Sequence, residues 1–132
     1  MSIKTISKAG LTVFTATGPV SVEDVVDAIT SFYENGKTLD SLWDLRDAQL
    51  KDFPTDGARK ISQVASQYKQ ERAGGKTAIV APRDVDYGIS RMHQAYMADF
   101  PWEFEVFRSI DDACGWLGVE LDATENHSDE AS

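Results

Sequence analysis

Little in this chain advertises a membrane, a disulfide or a metal. It has no uninterrupted apolar stretch near the ~20 residues that span a bilayer, and Met1 to Lys8 lacks the apolar core of a signal peptide. A single cysteine, Cys114, has no partner for an internal disulfide. Together these absences place the expected compartment in the cytoplasm of a bacterium-like cell. Two histidines, His93 and His127, with that one cysteine fall short of the three or four clustered nitrogen and sulfur ligands of a zinc site. Basic residues are scarce as well. Thirteen Lys and Arg stand against 22 Asp and Glu, for a net charge of −9, which argues against a nucleic-acid binder that works by neutralising phosphates.

Catalytic motifs are missing too. The chain has no G-x-S-x-G elbow and no phosphate- or dinucleotide-binding glycine loop. Gly74-Gly75 precedes a strand rather than a helix. His93 is off the apolar stripe of its helix and reads as solvated, and Cys114 reads as an inert residue on an apolar helix face. Glu103 and Glu105 share one side of an exposed strand and read as solubilising charges. No cofactor, no metal and no enzymatic activity are expected.

What is present is a regular alternation. Ile3–Ser7 and Leu11–Thr17 are β-rich runs around the turn Lys8-Ala9-Gly10. Ser21 caps a first helix with Asp24 three residues on, an acidic variant of the capping box. Val22, Val25, Val26, Ile29, Phe32 and Tyr33 follow at helical spacing, and Asn35-Gly36 stops it. Ser41–Arg46 predicts a short strand and Gln49–Phe53 a loop. Thr55 can cap a second helix, with a stripe of Ala58, Ile61, Val64, Ala65 and Tyr68, closed by Ala73-Gly74-Gly75.

Lys76–Ala81 is continuously apolar over Ala78, Ile79, Val80 and Ala81, as in a central strand covered on both faces. Asp84 is expected to cap a third helix with Val85, Ile89, Met92, Tyr96 and Phe100 inward, ended by Pro101. Glu103–Arg108 alternates as an edge strand does. Ser109 caps a last helix that Gly118 stops, with Ile110, Ala113, Cys114 and Leu117 inward. The order ββαβαβαβα predicts an α/β domain: a mainly parallel five-stranded sheet with an antiparallel first strand and four helices. If the strands follow chain order, the helices gather on one face and leave the other thinly covered, open to an oligomer contact. Residues 1–119 form the domain. Residues 120–132 carry five acids and no Lys or Arg, as expected of a disordered acidic tail.

Three expected strand ends carry an arginine followed by a capping-type residue: Arg46-Asp47, Arg83-Asp84 and Arg108-Ser109. Ligands of open α/β sheets bind at the carboxyl edge, beside helix N-termini. These arginines, with Asp84, Gly88 and Arg91 in the third helix, are therefore candidates for a phosphate or carboxylate site. The plainer reading pairs each arginine with Asp47, Asp84, Asp111 or Asp112. Gly88 sits inside a helix, where glycine costs ~1 kcal/mol relative to alanine. Packing, or a close backbone approach by a ligand, would account for it. Met92, Tyr96, Met97 and Trp102, with Phe100 and Pro101, are candidates for an apolar lipid-facing or dimer surface; ordinary core is the alternative.

Lys76-Thr77-Ala78-Ile79-Val80-Ala81-Pro82-Arg83-Asp84, then Tyr87-Gly88-Ile89-Ser90-Arg91-Met92, resembles the middle of the STAS-like domains related to anti-sigma-factor antagonists. Val106–Ala113, then Trp116-Leu117, is similar to their last strand and helix. The resemblance spans roughly residues 11–119. It implies a βα core behind an antiparallel first strand, no catalytic activity, and a regulatory or protein-interaction role. The same superfamily includes CRAL-TRIO-like lipid carriers, so the resemblance also admits a lipid or anionic-metabolite binder. Antagonists of this type carry a phosphorylatable Ser, usually as Asp-Ser, where this chain reads Leu45 to Thr55. No Asp-Ser is present there, and Thr55 is the only hydroxyl near that helix start.

Overall fold

The computed structural model describes residues 3–35, 37–54 and 56–119. The acidic tail and Thr55 lie outside the described residues. Five strands, β1 (Ile3–Lys8), β2 (Leu11–Pro19), β3 (Asp40–Gln49), β4 (Lys76–Val80) and β5 (Glu103–Phe107), form one sheet in chain order. β1 is antiparallel to β2, and the other pairings are parallel. The helices are α1 (Val22–Glu34), α2 (Gly57–Ser66), α3 (Asp84–Tyr96) and α4 (Ile110–Leu117). This is the α/β sheet with an antiparallel first strand that the sequence predicts.

The hairpin turns on Ala9 and Gly10, both at positive φ (52° and 81°), the pair of left-handed conformations that a tight two-residue connection needs. Ser21 and Asp24 form the full capping box of α1. Ser109 caps α4, and Gly118 ends it at φ 75°. Other boundaries differ from expectation. β3 continues to Gln49, because β2 runs on to Pro19 and pairs with it past an irregularity between Thr15 and Thr17. α2 stops at Ser66 and passes into a 3₁₀ turn, Lys69–Arg72. Its N-cap is Asp56, without a side-chain cap hydrogen bond. The N-cap of α3 is Arg83, not Asp84.

α1, α2 and α3 lie on one face of the sheet, as successive right-handed crossovers in one direction require. Beneath them the core includes Phe14, Ala16, Leu45, Ile79 and Val106. Phe14 stacks on Trp43, with ring centroids 4.1 Å apart and planes at 14°. α4 does not join them. It packs on the opposite face, where Ala113 and Leu117 cover Leu11, Leu42, Ala78 and Val80, and Lys76 Nζ donates to Trp116 O at 3.1 Å. That face is therefore closed over β3 and β4, while Ile6 on the β1 edge stays about half exposed. β4 is buried on both sides, and β5 is an edge strand.

Candidate functional site

The arginines gather only in part. Because β3 outlasts Arg46, this residue lies within a strand rather than at its end, and two of its nitrogens bond the Asp44 carboxylate at 2.9 and 2.8 Å. That bond, more than any other influence, raises the Arg46 pKa. Arg83 Nε donates to Asp86 Oδ2 at 2.8 Å. Arg108 Nη1 donates to Asp84 Oδ1 at 2.8 Å and to Pro82 O at 3.1 Å. Arg108 also lies over the Tyr87 ring at 4.2 Å, and Arg91 Nη1 meets the Tyr87 hydroxyl at 3.3 Å. Arg91 and Arg108 thus flank Tyr87, beside Asp84 at the start of α3, while Arg46 is held separately by Asp44. Among the described residues, partners for three of the four arginines come from Asp44, Asp84 and Asp86.

The face of α3 is where structure and sequence part most. Val85, Met92 and Tyr96 were expected inward, yet they are exposed at 55%, 43% and 44%. The buried positions are Asp86, Ser90 and Met97, with His93 half-buried between them, on a face rotated roughly a third of a turn at ~3.6 residues per turn. Asp86 draws this polar side in. One carboxylate oxygen accepts from Leu50 N–H at 2.9 Å and the other from Arg83, so burial leaves no lone charge. His93 is half-buried, with Nδ1 enclosed, rather than solvated. Desolvation lowers its pKa to about 4, against a weaker opposing effect of the Ala58 backbone. Met97 and Trp102 are core residues at 3% and 7% exposure, packed with Ala65. Of the expected apolar surface, Met92, Tyr96 and Pro101 lie outside. Gly88 borders Met92 and Tyr96, and a Cβ built there meets nothing within 4 Å, so no packing among the described residues accounts for the glycine.

Between this inner side of α3 and the sheet lies a cavity of about 100 Å³. Phe14, Phe32, Ile79, Ile89 and Phe104 form much of its apolar wall, and Arg72, Tyr33, His93 and Trp102 also line it. Arg72, at 3% exposure, donates to Leu39 O from Nε and Nη2 and to Lys76 O from Nη2. It sits over the rings of Phe32 and Trp102 at 5.5 and 4.8 Å. Desolvation lowers the Arg72 pKa and raises that of Tyr33, whose hydroxyl shares a hydrogen bond with Arg72. Among the described residues, Trp102 Nε1 and His93 Nδ1 are buried without a hydrogen-bond partner. Sequence reasoning had no route to this group. Arg72 belongs to an irregular turn, and the inward residues of α3 interrupt its apolar periodicity instead of making it.

No family model matches the chain. No curated protein matches it either. Solved structures do. An uncharacterised DUF3478-family protein from Shewanella loihica, described as having a SpoIIAA-like fold, aligns with a TM-score of 0.54 at 19% identity over 87% of this chain and 91% of that one. The phosphorylated form of SpoIIAA, a Bacillus cell-fate determinant, aligns at 0.53 and 13% identity over 86% and 97%. The fold is SpoIIAA-like. Unphosphorylated SpoIIAA, described as an anti-sigma factor antagonist, aligns at 0.49 with 14% identity over 98% and 96%. Within the SpoIIAA-like fold this chain keeps the strand order and an antiparallel β1. Thr55, the hydroxyl nearest the start of α2 in the sequence, lies outside the described residues. Among those residues no helix is long and apolar enough to cross a membrane.

Proposed function

We propose that this protein is a non-enzymatic regulatory domain that docks a partner protein on the outer face of α3. One observation carries the reading: α3 buries Asp86 and Ser90 and leaves Val85, Met92 and Tyr96 in solvent. A helix gains stability by turning its apolar side inward. One that exposes that side is built for a contact outside its own fold. Gly88 beside the stripe lets a partner backbone approach closely. The SpoIIAA-like fold adds support by analogy, since the solved structures it resembles include SpoIIAA, described as a Bacillus cell-fate determinant.

The occupant is a protein that presents an apolar ridge bordered by carboxylates. Arg91 projects from α3 beside Met92, and Arg108 lies next to it across Tyr87, a basic rim on a chain of net charge −9. A second copy fits less well, because a two-fold pairing through α3 sets Arg91 of each chain close to its counterpart.

Site-specific photocrosslinking from positions 92 and 96 in the host cell tests this, with position 27 on α1 as the control. A single protein trapped from α3 but not from α1, whose purified form binds at least tenfold more weakly to Met92→Asp and Arg91→Glu variants of unchanged thermal stability, supports the reading. Equal trapping from both helices, or a homodimer held by α3 in light scattering, overturns it.

A further inference from the structure

We propose that the cavity beneath α3 binds a small monocarboxylic acid with a compact apolar body, its carboxylate held by Arg72 and Trp102 Nε1. The site is distinct from the outer face of the helix and stands on separate observations. Protein interiors pack nearly as densely as organic crystals, and voids larger than a water molecule are few. This cavity, at about 100 Å³, is about two-thirds of the ~150 Å³ cavity that stays dry and takes up benzene. Its wall is apolar except at a few points, and those points are unusual ones.

Arg72 is the first. It is buried, and among the described residues no carboxylate lies within ion-pair distance of it. Three hydrogen bonds to the carbonyls of Leu39 and Lys76 and one shared with Tyr33 occupy most of its donors, while the Phe32 and Trp102 rings and the more distant Asp40 carboxylate offset its charge only in part. A buried cation without a counter-ion is unfavourable, and an anion beside it removes most of that penalty. Trp102 is the second. Its ring lies 4.8 Å from the Arg72 guanidinium carbon, and its Nε1–H is buried with no acceptor. Cation and orphan donor therefore stand at the same end of the cavity.

Together they fit one small planar anion. A carboxylate matches the cation in charge and gives the orphan N–H an acceptor. A phosphate brings more oxygens than these donors can serve. Scaled from the benzene-sized reference cavity, the whole volume holds about four to five heavy atoms, the carboxylate included. Acetate and propionate are of this size. Long-chain fatty acids are not.

The test titrates the full-length protein with acetate and with propionate, reading the Trp102 indole N–H resonance and the melting temperature. Acetamide and propionamide serve as probes without the charge. We expect a saturable shift of that resonance by at least one acid, a rise in melting temperature with its concentration, and at least tenfold weaker binding of the uncharged probes. Trp102→Phe keeps an aromatic ring and removes the N–H, and it should weaken acid binding about tenfold. Ala65→Leu extends a side chain into the cavity from α2 and should abolish binding while the protein stays folded. Arg72 is not the first variant to make, because it also ties Leu39 to Lys76. No saturation by either acid up to about 10 mM, a limit that corresponds to very weak binding, overturns the proposal and leaves the cavity to water. Equal binding of either amide, or undiminished binding by Trp102→Phe, overturns it as well.

Discussion

At the scale of single residues, α3 shows how a buried polar group can fix the orientation of an element. Asp86 is about 2% exposed and holds Leu50 N–H and Arg83 at once. Asp86→Ala strands that backbone N–H and removes Arg83's partner, and it should cost about 2–4 kcal/mol in urea unfolding. Asp86→Asn keeps one acceptor and should lose less. His93 gives a pH signature. Its folded pKa, about 4, lies below the ordinary 6.5, so between these values the unfolded chain takes up a proton that the native state refuses. The stability contributed by neutral His93 is therefore full above pH 6.5 and is lost as pH falls toward 4, by at most about 3 kcal/mol. Urea midpoints at pH 7.5 and 4.5 should differ less for His93→Phe than for the natural chain. Equal slopes in both would show that the ring is hydrated. Neither inward placement was legible in advance, because an Asp and a His on a helix read as solvent-facing until their partners are known.

At the scale of elements, the ends of helices and strands were more legible than their faces. Ser21 with Asp24, Ser109 and Gly118 are local devices. Each acts within a few residues of chain, and each does what its spacing predicts. The end of β3 was not legible, because it depends on β2 continuing through Gly18 and Pro19 to pair with Ala48 and Gln49. The face of α3 depends on Leu50, 36 residues from Asp86. Glycines sort the elements further. At Gly57 a Cβ would lie 2.5 Å from the Phe53 ring, and at Gly75 it would collide with the Leu39 carbonyl. The ring can turn aside and the backbone cannot, so Gly75→Ala should destabilise more than Gly57→Ala. At Gly88 the space is open. Gly88→Ala should leave stability unchanged or raise it by up to about 1 kcal/mol, while weakening the partner contact proposed for α3. Thermal melts of the three variants give the ranking, and a destabilised Gly88→Ala would refute the open-face reading.

At the scale of the whole molecule, the layered architecture was readable from the βα alternation, and the strand order matched the simplest threading of it. The division of helices between the two faces was not. α4 follows the last strand, so no crossover rule assigns it a side, and the apolar residues left bare at Leu42, Ala78 and Val80 decide the matter. The arginine pattern was visible as a set of positions, but its geometry was not. Arg91 and Arg108 meet at Tyr87 while Arg46 binds Asp44 elsewhere, because a three-dimensional rim is a property of strand lengths that the sequence leaves open by a few residues.

The linear strand order has a consequence for biogenesis. Each strand after the opening hairpin joins the edge that its predecessor has just exposed, so a chain emerging from the ribosome can add to its sheet vectorially without waiting for a distant partner. Only the final helix must reach back, and until Ala113 and Leu117 arrive the nascent sheet displays an unshielded apolar surface over its middle strands. A chain stalled just before Ile110 should therefore be the form that chaperones retain, and one released after Val119 the first that they let go.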